Sequence, residues 1–158
     1  MNKQMLTAVE SIIGGDNEDT NLLHEMAVTA RNYICSFSWC PPILAMYLGH
    51  GIGGVVAIFL AKFEQKISGT DDCLWIIVGD LPSAYIVVEP CDSCREALER
   101  YCRLMDDWIN EVLSFGDFQN VYPIDAPRSL ENAELLRRRL DFIRREIIPQ
   151  TSTDVINI

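Results

Sequence analysis

Two cysteines spaced as Cys91-x-x-Cys94 (CDSC) have the separation of a dithiol redox pair. They stand where a strand-like run hands over to a helix, and a helix N-terminus lowers a thiol pKa. Against that, Pro90 precedes the first cysteine, no βαβ unit follows, and Glu89, Asp92 and Glu96 all oppose thiolate formation. Joined to Cys35 and Cys40, the pair could supply four sulfur ligands to zinc. Phe37 and Trp39 within CSFSWC point instead to core packing of that segment. Cys73 and Cys102 fall on a strand and a helix, where cysteine serves as a small apolar residue. A small thiol-redox or metal-binding protein using Cys91 and Cys94 is therefore the alternative reading of the chain.

The acids Asp106, Asp107, Glu111 and Asp117 form a more informative group. They occupy the C-terminal half of an expected helix and the residue after its glycine stop. Exposed carboxylates there oppose the helix macrodipole, at a cost of about 0.3–1 kcal/mol each. Asp107 and Glu111 are also like charges four residues apart, which repel. Local stability does not explain such placement, and departures of this kind are expected at functional sites. A divalent-metal site would want further oxygen ligands at D-x-D or E-x-x-H spacing, which are missing. The four acids are taken as partner-binding residues, with no catalytic residue, no metal ligand and no cofactor expected. His24 and His50 have no Ser, Cys or Asp at a spacing that local geometry would bring to them. Asp80 reads as the opener of the turn Asp80-Leu81-Pro82-Ser83.

Net charge supports that choice. The 158 residues carry −10, and residues 71–128 hold 12 acids against 4 bases, so that segment supplies −8 of it. Such a field repels nucleic-acid phosphates and anionic lipid and attracts a basic protein. Arg137-Arg138-Arg139 and Arg144-Arg145 do not reverse this, because Glu131, Glu134, Asp141 and Glu146 interleave with them. The N-terminus lacks a signal-peptide pattern, so the six cysteines are expected as reduced thiols in a cytoplasmic protein. Neither nucleic acid nor membrane is an expected partner, and no oligomeric state is assigned.

Gly49-x-Gly51-x-x-Gly54 spells a dinucleotide fingerprint, which requires a strand before it and a helix after it. Here β-branched residues follow instead. The uncharged stretch 41–61 has the length of a membrane span, but Pro41-Pro42, His50 and four glycines leave only Val55–Ala61 continuously apolar. A flexible glycine-rich approach to a core strand is the expectation.

The elements that must position these residues follow from periodicity. Helices are expected over 4–13 and 20–34, the first ended by Gly14-Gly15. Three strand-like runs follow, at about 54–64, 73–80 and 84–89. The gaps between them, at Gln65–Asp72 and Leu81–Ser83, suit antiparallel neighbours. The all-apolar Leu74–Val78 predicts a strand covered on both faces. A capping box, Ser93-x-x-Glu96, opens a helix over about 93–115 with Gly116 as its stop and Glu96–Arg100 and Glu99–Arg103 as supporting pairs. A last helix is expected over about 129–147, ended by Pro149, and a loose tail over 150–158. The sum is a single α+β domain over 1–158: a three-stranded antiparallel meander packed by N-terminal helices and two C-terminal amphipathic helices.

LWIIVGDLPSAY (74–85), then ALERYCRLMDDWINEV and ENAELLRRRLDFIRREIIP, resemble a group of small uncharacterised bacterial proteins. These share a W-x-x-V-G-D-L-P strand-turn element followed by two amphipathic helices. The resemblance implies a bacterial α+β protein and carries no activity. The functional expectation is therefore a non-enzymatic acidic module that binds a basic protein. By charge analogy it would be an immunity protein that neutralises a nuclease-type toxin.

Overall fold

The computed structural model describes residues 3–4, 6–67, 71–89 and 91–156. The expected turn residues Ser68–Thr70, as well as Pro90 and residues 157–158 of the expected tail, lie outside these. In chain order the elements are β1 (Lys3–Gln4), β2 (Thr7–Ala8), α1 (Asn17–Cys35), β3 (Ile43–Ile52), β4 (Val56–Ile67), β5 (Asp71–Gly79), β6 (Ala84–Val87), α2 (Cys94–Ser114), α3 (Leu130–Phe142) and β7 (Val155–Ile156). The class is α+β as expected, but the sheet has five antiparallel strands, in the order β2-β3-β4-β5-β6, rather than three.

Both added strands have a physical reason. Residues 4–13 carry helix-like spacing, yet Leu6 packs on the α2 side of the sheet while Val9 and Ile12 pack on the α1 side. A segment that crosses a sheet edge in this way cannot be one helix face. It forms β2 against Leu48 and Tyr47, then a single 3₁₀ turn over Val9–Ser11. The glycine-rich stretch is only partly a loop: Gly49 and Gly51 lie in the second half of β3, bulged between Leu48 and His50, while Gly53 and Gly54 form the turn to β4. Glycine allows a close approach there: a Cβ on Gly51 would lie 2.8 Å from Leu23 Cδ2 of α1, so that the Leu23 side chain would have to shift.

The central strands are buried on both sides, as the apolar run in β5 predicts. Along β4, Ala57, Phe59 and Ala61 face α1, which contributes Leu23, Met26, Ala27, Ala30 and Ile34. Val56, Ile58 and Leu60 face α2 and α3, through Leu98, Tyr101, Met105, Trp108, Leu136 and Leu140. Burying each large side chain contributes roughly 1.5–3 kcal/mol. The sheet is therefore the middle of three layers.

The W-x-x-V-G-D-L-P element ties these layers together. The Trp75 indole N–H donates to Cys91 O at 2.7 Å, at the entry to α2. Gly79 takes φ 149°, and a Cβ there would overlap the Val55 carbonyl. Asp80 accepts from Arg139 of α3 at 2.7 Å, so it anchors a helix besides opening its turn. Pro82 O accepts from the Tyr101 hydroxyl of α2 at 2.6 Å.

Helix ends are set by local chemistry. Asp16, Ser93 and Ser129 cap α1, α2 and α3 by accepting from the third residue onward. At α2 the Glu96 carboxylate accepts from Asp92 N–H at 3.2 Å rather than from Ser93. Among the described residues, the expected pairs Glu96–Arg100 and Glu99–Arg103 are not closed. The ion pairs are instead Glu134 with Arg137 and Arg138, Asp80 with Arg139, and Asp106 with Arg144. The last helix passes from α3 into a π-turn over Ile143–Ile147 and a 3₁₀ turn over Ile148–Gln150. Within the expected loose tail, residues 151–156 make specific contacts. Thr151 is buried, Arg95 donates to Thr151 O at 2.7 Å, and Ile156 N–H donates to Asp92 O at 2.9 Å. β7 then pairs in parallel with β1.

Candidate functional site

The predicted acids are spread along the C-terminal half of α2 and just beyond it. Asp107 and Glu111 are one turn apart and so share a face of the helix. Glu111 folds back over Gly116, and Asp117 Oδ1 accepts from Gln119 N–H at 3.2 Å, fixing the first turn of the connector 115–129. Asp106 differs from the other three. It is spent on an ion pair with Arg144, whose guanidinium it holds charged. Among the described residues, Asp107, Glu111 and Asp117 meet no cationic side chain within ion-pairing distance.

The end of α2 also holds a residue that charge and spacing did not reveal. Phe115 terminates the helix in the left-handed region, at φ 54°, with 88% of its surface in solvent. The expected stop, Gly116, lies one residue later. Phe118 is also left-handed, at φ 62°, but its ring is held inward. It packs beside Trp108 at 6.4 Å between centroids, with the Arg128 guanidinium 3.9 Å above it. One aromatic is therefore half-buried and one is held out, both on strained backbone. A bulky residue at positive φ costs about 1–2 kcal/mol, and such strain clusters at binding sites. The sequence signal available was an aromatic directly after a strongly amphipathic helix and before glycine.

A second feature lies where the connector passes the edge strand β6. There Tyr33 of α1, Tyr85 of β6 and Tyr122 of the connector converge with Phe37 on an open groove of about 940 Å³. The Tyr122 hydroxyl accepts from Tyr85 N–H at 3.2 Å, occupying an edge-strand donor, and lies 2.7 Å from the Tyr33 hydroxyl. Tyr85 packs edge-on to Phe37, Trp39 and Tyr122 at 5.3–5.8 Å. Leu81–Ser83 and Pro123–Ala126, including Asp125, complete the walls. The sequence hid this site because its four rings come from three separate segments.

The thiols are placed differently from what redox chemistry needs. Cys91 and Cys94 are both buried, and burial pushes the Cys91 thiol up from its ordinary value. Cys73 and Cys102 are also buried, with thiols pushed up to about 12 and about 11. Cys35 is exposed at the last residue of α1 and Cys40 is half-buried. Among the described residues no group of three His, Cys, Asp or Glu side chains is arranged to hold a metal ion. His24 Nε2 lies 3.2 Å from Ile12 O, a structural contact. His50 has a buried Nε2 without a hydrogen-bond partner, and burial lowers its pKa.

Among the described residues no helix is long and apolar enough to cross a membrane. No protein-family model, curated protein or solved structure matches this chain, so its functional reading rests on the residues and geometry above.

Proposed function

We propose that this chain is a non-enzymatic binding module of the bacterial cytoplasm that docks a basic protein through the C-terminal end of α2. A nuclease-type toxin neutralised by its immunity protein is the partner class that fits this charge. The observation that carries the reading is Phe115, held out at φ 54° with 88% exposure between Glu111 and Asp117. An exposed aromatic rimmed by charge has the composition of an interface hot spot. Carboxylates that no internal cation neutralises steer a basic partner onto it and raise the association rate. Asp107, Glu111 and Asp117 provide these, while Asp106 is taken up by Arg144 in the π-turn that follows α3.

The test is equilibrium binding of an arginine-rich peptide to two reversed variants of equal net charge. Asp107→Lys/Glu111→Lys/Asp117→Lys and Glu18→Lys/Glu25→Lys/Glu64→Lys each change −10 by +6, to −4. Loss of three favourable charges at a real site should weaken binding at least about tenfold more in the first variant than in the second. Equal loss in the two would show that the peptide senses net charge alone and would remove the proposal.

A further inference from the structure

The tyrosine groove carries an inference that deepens the reading above and rests on it. Its walls are Tyr33, Phe37, Tyr85 and Tyr122, and among the described residues its one charged lining residue is Asp125 and no lysine or arginine lines it. Tyr33 and Ser36 bring the C-terminal end of α1 to the groove, and the last turn of that helix holds no basic residue. A helix C-terminus bears roughly half a negative charge, so this end faces the groove without a cation. Burial pushes the Tyr33 and Tyr122 phenols up, which keeps both hydroxyls neutral and leaves Asp125 as the local charge. π-faces, a helix C-terminus and a carboxylate all favour a cation. A flat guanidinium stacks on rings as a compact ammonium does not. At about 940 Å³ the groove has space for a long side chain with its flanking backbone.

We infer that this groove is the subsite for an arginine side chain of the basic partner, stacked among Tyr33, Tyr85 and Tyr122 and paired with Asp125. The connector that starts at the acidic end of α2 also forms the groove wall at Tyr122–Ala126, so one partner can reach both sites.

The test uses acetyl-Gly-Arg-Gly-amide and its citrulline counterpart, which keeps the shape and loses the charge. Binding is read from tryptophan emission. Trp39 is 40% exposed and stacks on Phe37 at 5.3 Å, whereas Trp75 and Trp108 are buried, so Trp39 reports the groove. The expected result is a saturable change with the arginine peptide, about tenfold weaker for citrulline and for Asp125→Asn or Tyr85→Leu. Asp125 is exposed, so Asp125→Asn keeps the fold, checked by circular dichroism, and decides the matter if Tyr85→Leu does not fold. No saturable change, equal response to citrulline, or unchanged affinity in Asp125→Asn would overturn the inference. If the arginine-rich peptide then still distinguishes the two reversed variants, only the groove assignment fails. If it does not, the binding reading fails with it.

Discussion

Replacing Phe115 by glycine should strengthen the fold and weaken the interface, two effects that a merely structural residue would not separate. The native backbone holds Phe115 at φ 54°, which costs an L-residue about 1–2 kcal/mol and costs glycine little. Glycine loses more backbone freedom on folding, which returns about 0.5–1 kcal/mol. The ring contributes only a few tenths of a kcal/mol by burial, because 88% of the residue is already in solvent. The net is a gain of roughly 0.5 kcal/mol, or a rise in Tm of about 1–2 °C for a chain of this size. Phe115→Ala keeps the strain and removes the ring, so its Tm should stay level or fall slightly. Both variants should bind an arginine-rich peptide or protein more weakly. Thermal unfolding by circular dichroism and parallel titrations measure the two effects. A clear fall in Tm for Phe115→Gly would refute the strain argument. Wild-type affinity in both variants would refute the role of the ring.

Four further outcomes follow from the structure. Gly79→Ala places a Cβ against the Val55 carbonyl at φ 149° and should cost about 3 kcal/mol in urea unfolding, whereas Gly15→Ala, with open space around it, should be neutral. In native protein Cys35 should react with a thiol reagent, while the buried Cys73, Cys91 and Cys102 react only on unfolding; rapid alkylation of Cys91 at neutral pH would revive the redox reading. His50 has its pKa lowered by burial, so the folded state favours the neutral ring. Its contribution is present above the unfolded pKa of about 6.5 and is lost as pH falls, so Tm should drop less on acidification in His50→Leu than in wild type. Asp106→Asn breaks the pair with Arg144, but both side chains are 40% exposed, so the loss should be at most about 1 kcal/mol.

Much of the architecture is legible in residue spacing. The caps at Ser93 and Ser129, the apolar stripe of α2 and the doubly buried Leu74–Val78 all follow from local rules, and each is present. Local rules failed where partners distant in sequence decide. Residues 6–13 have helical spacing but sit on both sides of a sheet edge, and Gly49 and Gly51 look like a loop until Trp75 and Leu23, respectively, are packed against them. Gln150–Ile156 is polar enough to look loose, yet Arg95 and Asp92 hold its backbone. At the candidate site the acids were readable from charge, but the commitment of Asp106 to Arg144, 38 residues away, was not. Phe115 was hidden because strain is a property of φ, which composition does not report. The tyrosine groove was hidden because Tyr33, Tyr85 and Tyr122 converge only in the fold.

The most direct test of docking at the end of α2 is a map of backbone amide shifts in ¹⁵N-labelled protein titrated with an arginine-rich peptide. Shifts concentrated over residues 107–118 and 122–125, leaving Asp16–Glu25 unmoved, are the result this account expects. Shifts spread over all exposed acids in proportion to their charge, or centred on α1, would contradict it.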